Sequence, residues 1–94
     1  MSSRDVALYW VNQVRADLER PPRSTLSQGY RHSGGNCPLA RSIGGQAYVG
    51  QGWVGVGGRY QGYDRTVPPG VMTFIHEFDQ GRYPDLELRR AILA

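Results

Sequence analysis

Residues 3–20 alternate between apolar and polar side chains with the period of a helix. Ala7, Val11, Val14 and Leu18 recur at steps of four, three and four, Trp10 widens the stripe, and Asn12, Gln13, Arg15, Asp17 and Glu19 fill the gaps. This spacing predicts an amphipathic helix with one buried face. Ser2 or Ser3 suits its N-cap and Asp5 complements the first-turn dipole. Pro21-Pro22 should end it, because proline lacks an N–H and restricts the residue before it. A second stripe, Val71, Phe74, Ile75 and Phe78 at i, i+3, i+4 and i+7, predicts a helix over about 69–80. Pro69 suits its first position and Gly81 its C-terminal stop.

The chain between these helices reads differently. "PPRSTLSQGYRHSGG" at 21–35 offers only Leu26 and Tyr30 for burial and predicts a mobile surface loop that carries arginine. "NCPLARSIGG" predicts a short helix, with Asn36 as N-cap, Pro38 in the first turn, Leu39 and Ile43 four apart, and Gly44 as a left-handed stop. Eight of the 13 glycines fall between Gly44 and Gly62, interleaved with the strand formers Tyr48, Val49, Trp53, Val54, Val56, Tyr60 and Tyr63. They predict a twisted antiparallel hairpin over about 46–67 turning at Gly57-Gly58, with Val54 and Val56 on one face and Val49 and Trp53 on the other. Tyr83-Pro84-Asp85 opens a last segment in which Leu88, Ala91 and Ile92 suggest a short terminal helix. The expected class is α+β, with the N-terminal helix and the 69–80 helix packed on the glycine-rich hairpin.

Composition narrows the functional classes. A 94-residue chain suits one domain, residues 1–94, and such a domain buries roughly 60–65% of its unfolded surface. One cysteine excludes an internal disulfide, the pattern of a reducing compartment, so a cytoplasmic protein is expected. Neither a signal-peptide pattern nor an apolar run of membrane-spanning length is present. The net charge of +3 comes from 11 arginines and no lysine, which excludes Schiff-base chemistry and a P-loop lysine. Arg20, Arg23, Arg31 and Arg41 occupy a stretch without an acid, which suits phosphate or an acidic partner, or else a solvated loop.

Gly50, Gly52 and Gly55 match G-x-G-x-x-G, but Val54-Gly55-Val56-Gly57-Gly58 is a poor helix start, so a bent sheet is expected rather than a nucleotide cradle. Cys37 near a helix start, with His32 upstream, could be a nucleophile pair, yet a buried structural cysteine is the commoner outcome. "HEFDQ" at 76–80 lacks the second histidine of H-E-x-x-H, and His32, Cys37 and His76 would make a metal site only if the fold united them. Neither a catalytic nor a metal set is therefore assigned, and no cofactor or small-molecule substrate is expected. Trp53, Arg59, Tyr60, Tyr63 and Arg65 could form a stacking platform for single-stranded nucleic acid, or a protein interface rich in the residue types that interfaces favour.

Two stretches, "NCPLARSIG" at 36–44 and "VPPGVMTFIHEFDQGRYPDL" at 67–86, resemble small orphan proteins of actinobacteria and their phages. In those, an Asn-Cys-Pro-Leu-Ala turn precedes a short β segment and a Leu/Val-Pro-Pro helix that ends in Phe-Asp-x-Gly-x-Tyr-Pro. The resemblance implies a source and no site residues, and the arginine-only basicity agrees with a GC-rich genome. The expectation is a non-enzymatic accessory protein, phage-encoded, that binds a host protein or a second copy of itself. The alternative is nucleic-acid binding through Arg20, Arg23, Arg31, Arg41, Arg59 and Arg65.

Overall fold

The computed structural model describes residues 1–58 and 62–88. Helix α1 spans Ser3–Asp17, with Ser2 accepting from the Asp5 N–H as N-cap. It buries Ala7, Trp10, Val11 and Val14, the predicted stripe. It ends before the prolines: Leu18 is the C-cap and Glu19 takes a left-handed φ of 60°. Helix α2 spans Pro38–Ile43 and closes on Gly44 at φ 88°. Its N-cap is Cys37 rather than Asn36, because the Ala40 N–H points at the Cys37 Sγ at 3.4 Å. Helix α3 spans Pro69–Asp79 and buries Val71, Phe74 and Phe78. Gly81 follows at φ 82°, as the stop requires.

The glycine-rich middle forms a three-stranded antiparallel sheet, β1 Ala47–Val49, β2 Trp53–Val56 and β3 Tyr63–Thr66, in the order β1-β2-β3. The predicted hairpin is thus β2–β3, and a second, tight reversal at 50–52 adds β1. Gly52, at φ 91°, lets that reversal form. The architecture is α+β as expected, with α1 against both α2 and α3, and α2 against β1.

The register corrects one expected face. Val49 pairs with Val54 and Ala47 with Val56, so these four point together into the core, and Trp53 points to the other face of the sheet from Val49. The extra reversal resets the alternation, so counting from 49 to 53 gives the wrong parity. One apolar cluster gathers this inner face with Trp10, Val14, Leu39, Ile43, Phe74 and Phe78.

The arginine-bearing loop is tied rather than free. Asn12 of α1 exchanges two hydrogen bonds with the Arg23 main chain, at 3.0 and 2.9 Å. Ser42, fully buried in α2, accepts from the Ser27 N–H at 2.7 Å. Gly29 donates to Leu86 O at 2.8 Å and accepts from Leu88 N at 2.9 Å, a parallel bridge to the far end of the chain. A side chain at Gly29 would lie 2.4 Å from Pro38 N and 2.6 Å from Asn36 O, so only glycine fits there. Pro84–Leu86 form a 3-10 turn before this bridge, and the suggested helix through Ala91 and Ile92 lies outside the described residues.

Candidate aromatic face and adjoining cleft

The sheet has two faces of opposite use, and the candidate residues divide between them. Tyr63 pairs with Val56 and Arg65 with Val54, which places both on the inner side. There Tyr63 donates to Asp17 Oδ2 of α1 at 2.8 Å, and Arg65 reaches the same oxygen at 2.8 Å. Burial first, then the Asp17 carboxylate, pushes the Tyr63 phenol up. Trp53 pairs with Thr66 and points the other way. A single platform of Trp53, Tyr63 and Arg65 is therefore excluded by the register. Arg59 and Tyr60 lie outside the described residues.

Trp53 instead joins Tyr48, which pairs with Gly55 on the outer face. Their ring centroids are 5.7 Å apart at 30°, and they remain 48% and 49% exposed. The rings are seated on glycine. A Cβ on Gly55 would lie 2.9 Å from the Trp53 ring, one on Gly50 3.0 Å from its Nε1, and one on Gly34 2.4 Å from the Tyr48 ring. Two glycines of the G-x-G-x-x-G match therefore floor an indole, within a strand–turn–strand that opens no helix.

The other four arginines of the candidate set are engaged by their own chain. Arg20 donates to Ile43 O at 2.7 Å, beside Arg15 at 3.0 Å, and together they satisfy the carbonyl end of α2. Arg23 donates to Thr25 O at 3.1 Å and Arg41 to Gln28 O at 2.8 Å. Arg31 grips both oxygens of Glu87, at 2.8 and 2.9 Å. Pattern alone could not show these bonds, since their acceptors are mostly main-chain carbonyls fixed by the fold.

Beside Tyr48 lies a cleft of about 310 Å³ between the 32–34 loop, the β1–β2 turn and α3. Tyr48 and Gly50 form one wall, Met72 and Ile75 the other, and His32, Cys37, His76 and Asp79 all reach it. His32, in a left-handed conformation at φ 54°, donates its N–H to Asp79 Oδ1 at 2.9 Å and places Nδ1 3.5 Å from Oδ2. The fold thus brings the two histidines and the thiol to one place. Among the described residues, however, no three His, Cys, Asp or Glu side chains converge as metal ligands. Burial pushes the Cys37 thiol up, against the opposing Ala40 N–H, so a thiolate is disfavoured. Sequence reasoning missed Tyr48 and the cleft role of Asp79. The alternation of Tyr48 with the buried Ala47 and Val49 carried the signal for the first, whereas nothing in the chain order pointed to the second.

No family model, curated protein or solved structure matches the chain. Among the described residues, no helix is long and apolar enough to cross a membrane.

Proposed function

We propose that the chain is a small non-enzymatic accessory protein that acts by binding another protein through the outer face of its sheet. The observation that carries this is the Tyr48–Trp53 pair, held half-exposed over a glycine floor while nineteen apolar side chains among the described residues are buried. Rigid, half-exposed Trp and Tyr next to a cleft are the side chains that supply most of the binding energy where proteins meet. The raised, buried Cys37 thiol weighs against a cysteine nucleophile. The internal bonds of Arg20, Arg23, Arg31, Arg41 and Arg65 weigh against a nucleic-acid surface. The motifs at 36–44 and 67–86 and the lone cysteine support a phage-encoded protein of the bacterial cytoplasm.

The test is affinity capture from an actinobacterial lysate, with and without nuclease, on the immobilised protein and on Trp53→Ala. A protein retained at moderate salt, unaffected by nuclease and lost on Trp53→Ala supports the reading. Capture that nuclease abolishes, or that Trp53→Ala leaves intact, overturns it. If sedimentation shows a concentration-dependent dimer that Trp53→Ala dissociates, the partner is a second copy.

A further inference from the structure

We infer that the cleft beside Tyr48 receives an arginine side chain of the protein partner. The inference rests on the protein-binding reading and names what the partner must present.

The charge balance around α3 carries the argument. Four carboxylates lie between residues 77 and 87, and three have an arginine: Glu77 with Arg82 at 3.7 Å, Asp85 with Arg4 at 2.8 Å, and Glu87 with Arg31 at 2.8 Å. Asp79 is the exception among the described residues, although its side chain is only 21% exposed. Its contacts are the His32 N–H and, more distantly, the His32 Nδ1. Arg31 acts on Asp79 through space, but its guanidinium is held in a two-pronged grip by Glu87. Among the described residues, a carboxylate that lines the cleft is thus left without a guanidinium bonded to it.

The other walls fit the rest of that side chain. Met72 and Ile75 offer an apolar track for an aliphatic stem, and the Tyr48 ring lines the same cleft as an aromatic neighbour for a guanidinium. A planar fork also matches a carboxylate better than an ammonium does. The volume of about 310 Å³ accommodates one long side chain. A loop or an extended segment of the partner, with its arginine beside the Trp53 anchor, satisfies both features.

The test uses three acetylated, amidated tripeptides, Gly-Arg-Gly, Gly-Lys-Gly and Gly-Leu-Gly, titrated into the full chain and followed by the amide shifts of Gly34 and Gly50. The arginine peptide should bind most tightly and move both amides. Asp79→Asn keeps an oxygen for the His32 N–H but removes the charge, and should weaken the arginine peptide roughly tenfold, the worth of one charge-assisted bond. Tyr48→Leu should weaken it severalfold while the fold, checked by amide dispersion, persists. Equal binding of the three peptides, shifts elsewhere, or indifference to Asp79→Asn would overturn the inference. Lysate capture separates the two proposals: loss on Trp53→Ala with full retention on Asp79→Asn sinks the arginine site alone, and retention on both sinks the protein-binding reading as well.

Discussion

The two faces of the sheet are built from the same short strands and do opposite things. Inward, Ala47, Val49, Val54 and Val56 vanish into the core, and Tyr63 and Arg65 reach across to Asp17. Outward, Tyr48 and Trp53 lie over Gly34, Gly50 and Gly55 and stay half in solvent. The contrast teaches that glycine here is a seating device. Where side chains pack inward the strands use valine and alanine, and where a ring must lie flat the backbone beneath it is stripped bare. The two tryptophans sharpen this, for Trp10 is 2% exposed and Trp53 is 48% exposed.

Substitutions at the two tryptophans should break the contrast most forcefully. Trp10→Ala should cost about 3–5 kcal/mol in urea unfolding, because it empties a core position. Trp53→Ala should cost under about 1 kcal/mol while removing partner capture. The Trp10 indole N–H is buried without a hydrogen-bond partner, so Trp10→Phe should lose far less than Trp10→Ala. Gly55→Ala comes next: its methyl must push the Trp53 ring aside, a movable neighbour rather than backbone, so stability should shift by less than about 1 kcal/mol while capture weakens. On the inner side, Arg65→Ala removes a partly exposed ion pair and should cost about 0.5 kcal/mol without touching capture.

The smallest expected effect lies away from both faces, at the seam of α1 and α3. Hydrogen bonds from Ser3 and Tyr83 hold the Glu77 carboxyl below its ordinary value, and a bond from Arg4 does the same for Asp85. A lowered carboxyl stabilises the folded state above the unfolded-state pKa, and that contribution is lost as pH falls through the folded value. Acid titration of Glu77→Gln should therefore show a shallower loss of stability on the acid side than the parent chain. An unchanged acid limb would mean that the Ser3–Glu77–Tyr83 cluster contributes nothing measurable.

The helices were legible in the sequence because their signals are local. Four apolar residues at helical spacing, a proline at the start and a glycine at the stop place α3 within a residue of its observed ends. The sheet was only half legible. Val54, Val56 and the glycines marked a hairpin, but a three-residue strand such as β1 carries too little pattern to be separated from its turn. The site was the least legible part. Tyr48 gains its role from Gly34, fourteen residues upstream, and Asp79 from His32, forty-seven residues away. The loop at 21–35 looked unanchored because its anchors, Asn12, Ser42, Asp79 and Leu86, lie in other elements.

The bridge at Gly29 sets an order in time. Its two partners, Leu86 and Leu88, are almost the last of the described residues, and α1 packs chiefly on α3. On a translating ribosome, therefore, α1 meets α2 early, the α3 side of its stripe is covered only after Pro69–Asp79 emerge, and the Gly29 bridge closes last. A nascent chain whose Leu86 and Leu88 are still inside the exit tunnel should be cut by protease in the 21–35 loop, and one in which both have emerged should be protected there.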